Sequence, residues 1–386
     1  MQRVAEAWLI VTMKGARSAF YLGVDSFLGT LPLLLFTMIG GMIADRHDRR
    51  AMILMSQIIQ MLIALLLAVL VATRRINIVH VLMFSSIVGC ARAFGGPAYQ
   101  ALLPMLVSQD HVPNAIALNS IQFNLAQVIG PFIAGAALSA FGMVACFGLN
   151  GISFLFVIAA ILALREVPAP SIAIESMGAQ FRNGLRFVRD SPSLVAVMAV
   201  GFFCAFLGVP LLTFLPVITR DVFHRDVGFY THLMTFSGAG AVTGALIVAW
   251  LGKSQHMGRI LLILLALFGM VIAGFGLSRR TCLSVLLLLI GGSLFVMCSS
   301  LATSLAQLLA PPEMRGRVVS VFLVAFLGGS PLGSLASGWM EMRLGSAPVM
   351  LVVNGTALTF VALYFLIRGH GLEYNQAPLE REEQFG

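Results

Sequence analysis

Eleven apolar runs of membrane-spanning length fix what this chain can become. They lie near residues 20–43, 51–73, 78–103, 114–140, 143–164, 193–218, 228–251, 259–277, 281–308, 317–340 and 346–367. A hydrocarbon layer about 30 Å thick takes about 20 apolar residues per helix. Over 386 residues, 59% are hydrophobic, 10% are charged and the mean hydropathy is +0.95. No water-soluble core of this size needs so much apolar surface with so few charges, so the expected fold is an all-α, multi-pass membrane protein. A further apolar run at residues 1–13 would reach only about 20 Å at ~1.5 Å per residue, too short to span.

The net charge of +8 is spread over short connections instead of one face, which excludes a nucleic-acid footprint. If the connection at residues 41–50 is cytoplasmic, thirteen of the 24 Lys and Arg fall on that side and nine on the other, with Arg3 and Arg92 inside spans. This excess favours the orientation weakly. Cys90, Cys146, Cys204, Cys282 and Cys298 all lie in apolar runs and show no metal-ligand spacing, so they read as small hydrophobes. No small-residue cleavage site follows the first run, so no cleavable signal is expected. No Walker A motif and no His-Glu-x-x-His pair is present, which leaves neither an ATP-driven pump nor a zinc hydrolase within the chain. Asn354-Gly355-Thr356 matches a glycosylation pattern but falls inside a span.

The connection at 165–192 is the longest polar stretch. Phe181, Leu185 and Val188 recur there at helical spacing opposite Arg182, Arg186 and Arg189, which predicts an amphipathic helix lying on the inner membrane surface. Ser191-Pro192 supplies a helix start. Residues 112–142 resemble 312–342, with Ser120 matching Ser320 and Pro131 matching Pro331; such fixed-offset similarity between halves is a mark of repeat-built transporters.

Gly41-Met42-Ile43-Ala44-Asp45-Arg46-His47-Asp48-Arg49-Arg50 lies between the first two full spans and packs five formal charges into its last six residues. It reads as a polar latch between moving helices; the bland alternative is that its charges only set topology. Ionisable residues inside spans are costly and are functional candidates by default. Glu6, Asp25 and Arg92 are the three carried forward as proton-coupling residues. Glu6 has the alternative of an i,i+3 ion pair with Arg3, Asp25 that of an interfacial position, and Arg92 that of structural pairing. Ser120, Asn124 and Gln127 share a helix face with Pro131; they either line a wet cavity or bond a neighbouring helix. Gly240-x-x-x-Gly244, Gly329-x-x-x-Gly333 and Gly41 permit close helix approach.

These residues resemble a known family. Gly41, Ile43, Ala44, Asp45, Arg46, Arg49 and Arg50 fit the loop signature of the major facilitator superfamily. Asp48 in place of the usual glycine is similar to its enterobactin-exporter-like and transmembrane secretion effector branch. Residues 92–104 and 113–120, Gly130-Pro131 with Gly135, and Arg315-Gly-Arg317 followed by Pro331-x-Gly333 resemble further pieces of that branch. The resemblance implies two six-helix bundles at 1–164 and 193–367, joined by a cytoplasmic linker at 165–192 and followed by a cytoplasmic tail at 368–386. Met1-Gln2-x-x-Ala5-x-x-Trp8-Leu9 resembles the second half of the family's first helix, so that helix is expected to be truncated.

The resemblance further implies that Arg92 serves proton movement and that Gly130, Pro131 and Gly135 form an antiporter-like element. Asp45 would sit at the start of the eleventh helix near Arg315 and Arg317. With Gly41, Arg46, Asp48, Arg49 and Arg50 these residues would form a cytoplasmic gate. The expected protein is a secondary active transporter of the bacterial inner membrane that exports small amphiphilic molecules, drug-like or siderophore-like, by alternating access. It would be no enzyme, would need no cofactor beyond a proton gradient, and would meet a small-molecule substrate and the lipid bilayer but no nucleic acid, as a monomer. The alternatives are a proton-coupled uptake symporter for a polar solute and, in another class, a non-transporting receptor or scaffold.

Overall fold

The computed structural model describes residues 1–44, 47–164, 177–251 and 256–368, and among these residues no strand occurs. The helices are α1 (Gln2–Lys14), α2 (Ser18–Ala44), α3 (Arg49–Ala72), α4 (Ile78–Leu102), α5 (Val112–Ala163), α6 (Met177–Arg189) and α7 (Pro192–Gly208). They continue with the short α8 (Pro210–Thr213) and α9 (Leu215–Asp221), then α10 (Val227–Leu251), α11 (Met257–Leu277), α12 (Thr281–Leu308), α13 (Arg315–Leu344) and α14 (Ala347–Arg368). Their bounds follow the apolar runs because hydrocarbon leaves no partner for an open backbone except the helix itself. Phe156, Phe141, Phe360 and Trp250 are at least 71% exposed, while Phe147, Phe214 and Phe268 are at most 1% exposed. Large apolar side chains on the outside of a folded chain mark its lipid face.

Helix α5 shows why sequence runs and passes need not match one to one. Its 52 residues would make a rod about 78 Å long at 1.5 Å per residue, more than twice the hydrocarbon thickness. It reverses at Gly142, whose φ of 77° belongs to the region that glycine enters without a Cβ clash. Hydrogen bonds prove the reversal. Tyr99 near the end of α4 donates to Asn119 in the first arm, and Arg50 at the start of α3 donates to Leu162 in the second. Both arms therefore end on the side where α3 begins. Among the described residues ten helices are long and apolar enough to cross a membrane, and the reversal in α5 brings the passes to the eleven expected from the runs.

Helices α1–α5 pack among themselves, as do α7–α14; α2 against α13, α5 against α10 and α1 against α9 join the two groups. Glycines set the closest approaches. A Cβ on Gly240 or Gly244 would strike the Leu289 or Ser293 carbonyl of α12, and one on Gly292 would strike Ser237 of α10. Gly329 and Gly333 face the Phe202 and Phe206 carbonyls of α7. These sequence-flagged pairs therefore bind helices of the same group. The seam from α2 to α13 uses Gly23 against Ser334 and Gly338 against Ala19.

The amphipathic helix forms as expected, with Val188 buried and Phe181 packed against the core, but Leu185 lies off the covered face. Gly184 and Val188 are buried, and Gly184 sits against the Arg317 backbone at the start of α13. Leu185 is 50% exposed. The face chosen is the one whose glycine allows contact with α13. Arg182, Arg186 and Arg189 remain exposed.

Gly240→Val should lower the thermal midpoint of the detergent-solubilised protein sharply, since overpacking costs about 1–3 kcal/mol and here the obstacle is backbone. Gly130→Ala should leave the midpoint unchanged or slightly raised, because a Cβ there meets nothing within 4 Å and alanine outranks glycine by about 1 kcal/mol in a helix.

Candidate transport site

The polar residues inside the first group converge from four helix segments. Counting back from Gly15 along α1, Glu6 lies about 13 Å and Arg3 about 18 Å below that end of the protein. Counting in from the same end, Asp25 of α2 and Ser85 of α4 lie about 10 Å deep and Arg92 about 20 Å deep. The order from that end inward is Asp25 with Ser85, then Glu6, then Arg3 and Arg92.

The geometry fits these depths. Ser85 Oγ donates to Asp25 Oδ1 at 2.5 Å. Gln2 Nε2 donates to Glu6 Oε1 at 2.8 Å, and Asn150 Nδ2 of the second α5 arm donates to Gln2 Oε1 at 3.1 Å. Glu6 is 5% exposed, whereas Arg3 and Arg92 are exposed. The charges of Glu6, Asp25 and Arg3 act on one another, and Arg3 acts on Arg92. The i,i+3 ion pair of Arg3 with Glu6 does not form; Gln2, four residues earlier, takes that place. Asp25 is hydrogen-bonded to Ser85 of the neighbouring helix α4. Two carboxyls in a low-dielectric site, with an arginine acting on both, can change their proton content when helices shift, because a cation nearby favours the carboxylate and burial opposes it.

At the α3 end, Asp48 pairs with no arginine side chain among the described residues. It caps α3, accepting the Arg50 backbone N–H at 2.9 Å. The arginines beside it go to bare helix ends. Arg49 donates to the Ala44 carbonyl at the end of α2 and to Ala101 at the end of α4, both at 3.3 Å. Arg50 donates to Leu162 at the end of α5 at 2.6 Å. Arg315 does the same at 3.4 Å for Ala310, just past α12, and Arg317 reaches Met314 Sδ at 3.5 Å. The last four carbonyls of any helix lack partners and carry the negative end of its dipole, so guanidiniums settle there. Gly41 is buried. Asp45 and Arg46 lie outside the described residues, as do the side chains of Ser120, Asn124 and Gln127. Pro131 lies within α5. Gly130 faces open space, whereas Gly135 sits against Thr231 of α10, where the two groups of helices meet.

Two residues that the sequence reading passed over stand at the opposite end. Arg220 of α9 donates to the Val11 and Gly15 carbonyls and to Ser18 Oγ, tying the second group of helices to the α1–α2 corner. Its other donors hold Asp221 at 2.5 and 2.8 Å. Glu341, 8% exposed, has a buried Oε2 with no hydrogen-bond partner. It lies one position past the apolar run ending at residue 340, so the composition of the run does not mark it. Asn354 is 1% exposed and bonded to Ser337, so its glycosylation pattern is inert.

A family model described as transmembrane secretion effector matches residues 1–381. The chain belongs to this family of major facilitator superfamily transporters. Macrolide efflux protein A of Streptococcus pyogenes is 25% identical over 90% of this chain and 86% of its own length. The multidrug efflux pump Tap of Mycolicibacterium fortuitum is 27% identical over 97% of this chain and 93% of its own. The enterobactin exporter EntS of Citrobacter koseri is 24% identical over 94% of this chain and 86% of its own. A crystal structure of a bacterial homologue of the human lysosomal transporter Spinster, in an inward-facing and occupied conformation, shares the fold with a TM-score of 0.72. It is 17% identical and covers 96% of this chain and 94% of that one. Secretion effectors of this family are multi-pass membrane transporters, and neither the family nor these relatives are enzymes.

The carbonyl-capping geometry generates its own test. Asp48→Ala should cost about 1 kcal/mol of α3 stability and Asp48→Ser much less, since serine caps as well as aspartate. Thermal unfolding in detergent separates the two, and equal losses would refute the cap.

Proposed function

We propose that this secretion effector is a proton-coupled exporter of small amphiphilic molecules, drug-like or siderophore-like, working by alternating access in the bacterial inner membrane. The observation that carries the reading is the Glu6–Asp25 pair: two carboxyls on adjacent helices, held by Gln2 and Ser85 and acted on by Arg3, which in turn acts on Arg92. A carboxyl in a span without function is rare because its burial is costly, and acid chains in such places mark proton relays. The efflux relatives support the outward direction and an amphiphilic cargo. In this reading the α3 end is cytoplasmic and the Arg220 end faces outward.

The cycle follows from the chemistry. In the outward-open state Asp25, nearer the outer end, takes a proton and shares it with Glu6. As the helix groups rock, Arg3 and Arg92 approach the pair from the inner side. Their positive charge favours the carboxylates, and the proton leaves toward the cytoplasm. The cargo site lies between the groups, where the α5–α10 seam at Gly135 and Thr231 allows close approach. No cofactor is required, and the energy is that of the proton gradient.

Glu6→Gln and Asp25→Asn should each abolish pH-gradient-driven accumulation of an amphiphilic dye such as ethidium in inverted vesicles, while dye binding to the purified protein persists. Undiminished accumulation in both variants would remove the pair as the coupling site. Accumulation in right-side-out vesicles instead would favour the symporter.

A further inference from the structure

We propose that Glu341 is a second proton-binding site, loaded from the outer face, and that its proton holds the Arg220 latch shut. This deepens the proton-coupled reading above and rests on its orientation. A cavity of about 310 Å³ at the Arg220 end is walled by Asp221, Val222, Arg279, Glu341 and the turn at 345–348 between α13 and α14. Glu341 Oε2 is sealed from solvent and unpartnered at the cavity wall. A carboxyl that lines the cavity can be protonated from it and needs no coordination shell, whereas a metal ion or an ammonium group would need direct access to the enclosed oxygen. An unpaired buried carboxylate would carry a heavy desolvation cost, which a proton removes.

The charges facing Glu341 are few. Arg220 and Asp221 of α9 act on it directly, and Arg279 stands on the cavity wall. Arg279 is already engaged with the Gly276 and Ser278 carbonyls. Arg343, on the same helix as Glu341, stacks over Trp339 at 5.4 Å. Ala347 and Pro348 of α14 and Ser18 and Ala19 of α2 bring no charge. Arg220 is therefore the cation through which Glu341 acts, and Arg220 joins the two helix groups at this end.

The step is a simple proton transfer. A hydronium ion in the cavity gives its proton to the Glu341 carboxylate and leaves as water. Arg220 divides its donors among Asp221, Val11, Gly15 and Ser18, an arrangement we assign to the proton-bound state. When the proton leaves, a second carboxylate beside Arg220 competes for the guanidinium and draws it from the α1–α2 corner. The outer end then opens. Raising the external pH should thus open the latch, and lowering it should close it.

Spin labels at positions 17 and 225, exposed on the two sides of the latch, report its opening in the full chain in lipid nanodiscs, with the exposed Cys282 replaced by Ser. The distance between labels should lengthen from pH 5 to pH 8. Glu341→Gln should keep it short at both values, Glu341→Asp should restore a pH-dependent shift, and Arg220→Gln should leave it long at both. A Glu341→Gln protein that is monodisperse yet keeps the parent response would overturn the proposal. So would a parent protein that shows no response, or a response that disappears in the Glu6→Gln, Asp25→Asn double variant. A latch that responds through Glu341 in a protein whose dye transport ignores the pH gradient would refute the coupling pair alone and leave this site standing.

Discussion

A helix that ends at a membrane surface leaves four carbonyls bare, and the rest of this structure depends on how they are satisfied. The solution recurs at both ends of the molecule. Arg49 and Arg50 hold the ends of α2, α4 and α5, Arg315 the end of α12, Arg279 the end of α11, and Arg220 the end of α1. Each guanidinium offers five donors in a planar fork and stays charged in any environment, which lysine does not match. An arginine that holds the ends of several helices fixes their register. One that bridges two helix groups, as Arg220 does, also determines whether those groups are together or apart.

This changes how the charged connection at 41–50 is understood. In the sequence its charges invite pairing of Asp48 with Arg49, Arg50 or Arg315. In the structure, Asp48 serves the backbone of α3 and its neighbouring arginines serve the backbones of three other helices. The connection works as a clasp of helix ends. Asp48 in place of glycine then has a physical meaning, because an N-cap acceptor at that position stabilises the helix carrying Arg49 and Arg50.

The candidate site was legible in part. Glu6, Asp25 and Arg92 could be named because an ionisable residue inside an apolar run violates the composition around it. Gln2, Ser85 and Asn150 could not, since polar uncharged residues are common in such helices and only their meeting gives them a role. The glycine pairs were legible as places of close approach but not by partner. Gly329 and Gly333 met α7, while Gly23 and Gly338, outside any motif, made the α2–α13 seam. Leu185 misled because periodicity marks a stripe without saying which edge of it will be covered.

The sequence by itself determined the class, the helices and nearly every boundary, since transfer into hydrocarbon is a sum over local residues and a run either reaches the required length or does not. It also located the arginines. Only the tertiary structure decided which helix end each arginine holds, which glycine meets which carbonyl, and that Glu341 is sealed beside Arg220. Those contacts join positions up to 209 residues apart. They depend on how rigid helices cross, a property of the packed whole that no local stretch encodes.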